Sequence, residues 1–379
     1  MKKPDWIDAR SACAALGVKP QTLYAYVSRH PIRTKSDPAD ARASLYALRD
    51  IEAVARQQRR PRARVDVARA AIRWGDPVMS TSITEVREGT IWLRGRAIED
   101  CAKHMTLEQV MALLCGVDAL KCPTTRARIG GSSTFTRAMK VLAQETEASR
   151  PMGGLDPAEI AQDAARMMSL VIDACLEQPL DGAIHERIGA AWGLTPPARN
   201  VVRQALVLLS DHELNPSTFA VRVCASTGAT LASALLSGMA TLSGPKHGGV
   251  AGLAMGALES GMEGRFQRFL DDHAEQGAYA YGFGHPLYPD GDPRARYLLR
   301  HIPQGGPATK AVRQLSDHLS VPPNIDAALA ALSLHFGCPR DAATTIFSIG
   351  RMAGWTAHAI EQVQSGQLIR PRATYTPLG

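Results

Sequence analysis

Aromatic side chains are scarce in this chain of 379 residues: Phe, Trp and Tyr together reach 5%. That scarcity argues against a sheet-built fold, whose strands draw on aromatic and β-branched residues, and the abundance of Ala and Leu favours closely packed helices. Long apolar runs are missing as well. The longest uncharged stretch, residues 223–245, holds seven Ser and Thr among small side chains, which suits a buried helix better than a membrane span. Lys2, Lys3 and Asp5 lead into no apolar segment, so no secretory leader is expected. The seven cysteines form no CxxC pair and no Cys/His cluster at metal-ligand spacing, and their odd number fits no closed disulfide set. No metal site is expected, and a reducing cytoplasm is the expected compartment.

What is present is unevenly charged. Residues 1–75 carry 16 Lys and Arg against 7 Asp and Glu, a balance of +9, so the overall +7 leaves about −2 for the rest. Within that basic fifth, "DWIDARSACAALGVKPQTLYAYVSR" places Ala12, Leu16, Val18, Leu23 and Val27 where two short helices each bury one side. Gly17 stands at the turn between them and Pro20 in a first helical turn, where no amide donor is needed. A basic, turn-rich segment follows, then a helix from about Leu48 and an arginine run. These residues resemble the MerR-like, winged-helix type of DNA-binding domain. The resemblance implies that Lys19, Gln21, Thr22, Tyr24 and Arg29 face DNA, with Arg33 and Lys35 near phosphates. A small helical module serving assembly fits the same residues.

Length alone predicts two or three domains. Beyond Trp74 the pattern changes: residues 78–101 alternate apolar and polar side chains on both sides of Glu88 and Gly89, as a hairpin does. After Cys101 helical periodicity dominates, including one long small-residue helix expected over 217–243, and no fixed-period repeat appears. Glycine and proline gather at a few joints, and the reactive side chains gather with them. His212 lies in "SDHELNPSTF", His247 in "LSGPKHGGVAG", His285 and Arg294 in "YGFGHPLYPDGDPRARYL", Asp326 in "PPNIDAAL", Arg351 in "IGRMAGW" and Arg370 in "IRPRATY". Such joints let backbone approach a ligand closely. Each residue also has a plain structural reading: Asp211 and His212 at a helix end, Asp326 as a cap.

Taken in order, the blocks "DHELNPSTFAVRVCAST", "GPKHGGV", "GFGHPLYPDGDPRA", "PPNID", "RMAGWTAHAIEQ" and "LIRPRA" resemble citrate synthase and its relative 2-methylcitrate synthase. The resemblance runs from about Ser80 to Tyr375. It implies an all-α fold with a large domain over 76–254 and 346–379 and a small closing domain over 255–345. A winged-helix-like module at 1–60 and a basic linker at 61–75 would precede them. It also implies that acetyl-CoA condenses with oxaloacetate, with no cofactor. Asp326 would be the general base, His247 would stabilise the enolate, and His285 would polarise the ketone. His212, Arg294 and Arg351 would bind oxaloacetate, and Arg370 would reach across from the partner of a homodimer. Alternatives remain: propionyl-CoA as the donor, giving 2-methylcitrate, or a DNA-binding regulator whose synthase-like body senses a metabolite. Pro286 stands where the family often has arginine, Lys246 where leucine is common, and Val250 where "GGAN" is expected.

Overall fold

The structure, a computed structural model, describes residues 6–16, 18, 23, 27, 32–38, 40–52, 79–125, 129–373 and 375. The chain divides into two compact units, Met1–Ser80 and Thr81–Gly379.

In the first unit, strand β1 (Trp6–Ile7) leads into helix α1 (Ala9–Leu16), whose start is capped by the Asp8 carboxylate accepting the Ser11 amide at 2.7 Å. Strands β2 (Thr34–Asp37) and β3 (Asp40–Ala47) pair antiparallel, and β1 adds to the other side of β3, giving the order β1-β3-β2. The segment expected to be turn-rich is therefore a hairpin, and an all-α description fails here. Ala12, Leu16, Leu23, Ile32, Tyr46 and Ile51 close a small core. Arg33 is engaged inside the unit, its guanidinium bidentate on Asp50 at 2.8 and 3.1 Å, and Lys35 lies 4.5 Å over the Trp6 ring. Lys19, Gln21, Thr22, Tyr24 and Arg29, and the whole 61–75 segment, lie outside the described residues.

The second unit opens with the expected hairpin. Strand β4 (Thr84–Arg87) pairs with β5 (Thr90–Leu93) across a tight turn with Glu88 and Gly89 both at positive φ, and β6 (Arg96–Ala97) completes a three-stranded sheet. Fourteen helices follow among the described residues: α2 (Ile98–His104), α3 (Leu107–Cys115), α4 (Thr134–Ala148), α5 (Pro157–Leu176), α6 (Ile184–Ala191), α7 (Pro196–Leu208), α8 (Pro216–Ser226), α9 (Leu231–Leu242), α10 (Val250–Met262), α11 (Phe266–Asp272), α12 (Pro293–His301), α13 (Pro307–Leu319), α14 (Ile325–His335) and α15 (Ala342–Ser365). The single helix expected over 217–243 is two, α8 and α9, because Gly228 takes a positive φ between them and Thr230 caps the second on the Ser233 amide. No helix among the described residues is long and apolar enough to cross a membrane.

Helix α15 is the axis of the unit. It is buried along nearly its whole length and packs against α3, α5, α7, α8 and α9, with Arg351, His358 and Gln362 buried among its apolar side chains. The backbone after α7 runs directly over it: the Gly354 amide donates to the Ser210 carbonyl at 2.8 Å. A Cβ on Gly354 would sit 2.5 Å from that oxygen and closer still to Asp211 Oδ1. Gly354→Ala is expected to destabilise the protein by about 3 kcal/mol through overpacking against backbone, read as a lower urea midpoint at unchanged slope. That close approach brings Arg351 and His358 of α15 beside Asp211 and His212.

Candidate active site

Two loops separated by forty residues pair to form one wall. The Gly284 amide donates to the Pro322 carbonyl at 2.7 Å, the Asn324 amide to the Gly282 carbonyl at 2.8 Å, and Phe283 and Pro323 form an antiparallel bridge. Gly282 has φ +87°, and a Cβ there would lie 2.7 Å from the Ala327 amide nitrogen, so glycine alone permits this approach. The side chain of Asn324 ties both loops, accepting from the Asp326 amide at 2.9 Å and donating to the Gly284 carbonyl at 3.0 Å. It is Asn324 that caps α14; Asp326 sits inside the first turn with its carboxylate left over.

Asp292 is the second tie. It caps α12 by accepting the Arg294 amide, holds the Arg294 guanidinium by two bonds of 2.9 and 2.7 Å, and accepts the Ile325 amide at 3.1 Å. Both side chains are buried. Burial would raise the Asp292 carboxyl, yet the Arg294 charge and hydrogen bonds hold it below the usual carboxylate range. Asp292 therefore fixes Arg294, the end of the His285 loop and the start of α14 together.

The titratable groups are tuned by that burial. Asp326, 5% exposed, has its carboxyl pushed up to about 7, chiefly by desolvation, and among the described residues its Oδ1 has no partner. His285 is pulled down to about 4 by burial and the Arg294 charge. Its Nδ1 accepts the Leu287 amide at 3.2 Å, so the neutral ring carries its hydrogen on Nε2. His212 is driven well below its ordinary value by burial, then by Arg294 and Arg351, and its Nε2 lies 2.7 Å from the Tyr288 hydroxyl. Burial and Arg351 bring His247 down to about 3, so it too is neutral.

His247 Nε2 contacts Ser217 Oγ at 2.8 Å, and that hydroxyl also meets Asn215 Oδ1 at 2.7 Å and the Trp355 indole N–H at 3.3 Å. Ser217 has one hydrogen for two acceptors. With it on His247 Nε2, the ring holds its own proton on Nδ1 and donates from there; with it on Asn215, His247 Nδ1 is a bare acceptor.

Arg351 donates from Nε to the Leu209 carbonyl at 2.8 Å, and among the described residues its two Nη atoms have no hydrogen-bond partner. Burial lowers its guanidinium to about 10, leaving it charged at neutral pH. Arg294 is paired with Asp292 and Arg351 feels the Asp211 carboxylate, yet the Arg351 Nη atoms stay open beside three neutral imidazoles, donors suited to a carboxylate.

The structure brings His212, His247, His285, Asp326, Arg294 and Arg351 into one electrostatically coupled group. Arg370 is exposed on the segment after α15 and has no hydrogen bond or ion pair with them. Sequence reading passed over Asp292, Tyr288, Ser217 and Tyr279, whose ring lies 6.1 Å from that of His285. The "GDPR" order, an acidic cap before Pro at a helix start, carried a legible signal for Asp292; the two tyrosines carried none.

The family pattern described as "Citrate synthase, C-terminal domain" matches residues 135–372. The chain belongs to the citrate synthase family. Citrate synthase 2 of Bacillus subtilis is 31% identical over 239 residues, which is 60% of either chain, so this chain spans about three fifths of that relative's length. The 2-methylcitrate synthase of Shewanella oneidensis is 28% identical over 79% of this chain and 92% of its own. Among solved structures, a ternary complex of carboxymethyl coenzyme A and oxaloacetate with the citrate synthase of Thermoplasma acidophilum aligns with a TM-score of 0.65 at 23% identity. It covers 80% of this chain and 94% of that one. This family likeness in fold places the large helical unit, from Thr81 onward, on a citrate synthase scaffold.

Proposed function

We propose that this protein condenses acetyl-CoA with oxaloacetate to give citrate and CoA. The observation that carries the reading is Asp326: a buried carboxyl poised at about 7, with an unpartnered oxygen, in a cluster that also holds two arginines and three neutral histidines. A thioester α-proton is too weakly acidic for a lone carboxylate, so proton removal needs a donor aimed at the developing oxyanion. His247 supplies that donor from Nδ1 once the Ser217 hydroxyl turns its hydrogen from Asn215 Oδ1, to which it donates at 2.7 Å, to His247 Nε2 at 2.8 Å. His285, neutral with its hydrogen on Nε2, polarises the ketone of oxaloacetate; the nascent alkoxide takes that proton as the carbon–carbon bond forms, and the proton that Asp326 removed from the thioester is given up to restore the His285 N–H, so both side chains end as they began. Arg294 and Arg351 hold the carboxylates. Water then cleaves the citryl thioester.

Purified protein is expected to release free CoA thiol only when both oxaloacetate and an acyl-CoA are present; folded protein silent with both donors would overturn the reading. The Shewanella relative motivates propionyl-CoA as the second donor. One methylene changes binding by about 1–3 kcal/mol, so specificity constants for the two donors decide between citrate and 2-methylcitrate.

The same reading carries Arg370 to the site of a partner subunit, making the working form a homodimer; its exposure on the C-terminal segment supports this. The seven free cysteines fit a reducing cytoplasm. The charge of +9 over residues 1–75 supports DNA as the partner of the N-terminal unit, an assignment tested by gel shift at rising salt.

A further inference from the structure

Tyr288 is 2% exposed and belongs to no step described so far. Its ring closes a triangle with two histidines, 5.7 Å from that of His212 and 4.8 Å from that of His285, with the Arg294 guanidinium 5.9 Å from its centroid. The two imidazoles themselves meet edge to face at 5.3 Å. Its hydroxyl makes a single hydrogen bond among the described residues, 2.7 Å to His212 Nε2. A buried phenol with one partner has one hydrogen to place. If His212 Nε2 also held a hydrogen, that of Tyr288 would be left without an acceptor, which a buried donor tolerates poorly.

We propose that Tyr288 is a positioning residue: by donating to His212 Nε2 it locks the tautomer with the proton on Nδ1, making His212 a fixed neutral donor for the keto dicarboxylate. This rests on the condensation reading of the site. Burial keeps both partners neutral, holding the phenol far above its ordinary range and His212 far below its own. The device has a chemical use. Protonation at Nε2 is blocked while the phenol occupies it, so the ring adds no pH-dependent positive charge beside Arg294 and Arg351, and its Nδ1–H keeps one orientation.

Tyr288→Phe removes one oxygen and keeps the ring. The expected result is an oxaloacetate KM raised about 10-fold to 100-fold, the size of one lost orienting hydrogen bond. The acyl-CoA KM and the thermal midpoint should stay near those of the native protein. A packing residue gives no such selective loss of one KM. An unchanged KM, or parallel losses in kcat and both KM values with a lowered midpoint, would overturn the proposal. Calorimetric binding of oxaloacetate to native and variant proteins needs no turnover, so it separates failure of this proposal from failure of the condensation reading. Nitrogen-15 histidine spectra of the native protein, with His212→Gln for assignment, should show a protonated Nδ1 and an unprotonated Nε2. The opposite tautomer would reject the assignment without any reliance on the Phe variant.

Discussion

Asp326→Asn is expected to cut turnover by about 100-fold to 10,000-fold and at the same time to make the folded protein more stable at pH 8. The two effects have one cause. In the folded state burial lifts the carboxyl from 3.8 to about 7, so the ionised form is the disfavoured one. Below the unfolded value both states hold the proton and the residue costs nothing. As pH rises from about 4 through 7, the unfolded chain ionises freely while the fold resists, and stability drains away. The amide has no such penalty, so its advantage is absent at pH 4 and reaches a few kcal/mol at pH 8. Catalysis runs the other way: only the ionised carboxylate removes a proton, so kcat/KM of the native protein climbs about tenfold per pH unit below 7 and levels above it. Melting curves at the two pH values, with a pH–rate profile, check both arms. A flat profile between pH 5.5 and 8 together with identical melting would remove Asp326 from the role of base.

How much of this was legible beforehand depends on what kind of interaction fixes each part. Helices α5, α7, α12 and α15 were readable because their signals are local. Pro157 and Pro293 each stand at the first position behind an aspartate cap, and apolar periodicity runs through each segment. The hairpin about Glu88 and Gly89 was readable for the same reason. Helix α4 carries a weaker local signal: its capping Ser133 accepts the Thr136 amide, but Ser, Thr and Gly crowd the residues before it and read as loop. The break between α8 and α9 was missed because Ser, Thr and Gly there support either a bend or a buried helix. At the site, the reactive residues were found through family-like blocks, since nothing local announces that the loop before His285 meets the start of α14. Their meeting depends on Gly282, Asn324 and Asp292, which act across forty residues. The same holds for Tyr288: an unremarkable tyrosine in sequence, its partner His212 is seventy-six positions away.

Arg294→Leu is expected to cost about 3–5 kcal/mol of stability, because it strands the buried Asp292 charge, and to remove measurable oxaloacetate binding. Asp292→Leu should be comparably damaging, since it unpairs Arg294 and also deprives α12 and α14 of the carboxylate that accepts the Arg294 and Ile325 amides. The double replacement separates pair from parts. A buried ion pair is costly to desolvate, so removing both charges is often close to neutral; the double variant should therefore be less destabilised than the two single losses summed, by more than about 2 kcal/mol. Simple additivity would mean that the two residues stabilise the fold independently, against the bidentate geometry of 2.9 and 2.7 Å. Acid provides a second check. The folded Asp292 carboxyl lies below 3.8, so its contribution is complete above the unfolded value and is lost only as pH falls through the folded one. In the native protein the pair therefore survives a fall in pH from 7 to 4, across the range in which Asp326 takes up its proton. Stability should accordingly rise on mild acidification as far as Asp326 governs it, and collapse only at the lower pH where Asp292 is protonated and Arg294 is left buried without its counter-charge. Loss of that low-pH collapse in the double variant, with the rise near pH 7 retained, is the outcome that assigns the two phases to these two carboxylates.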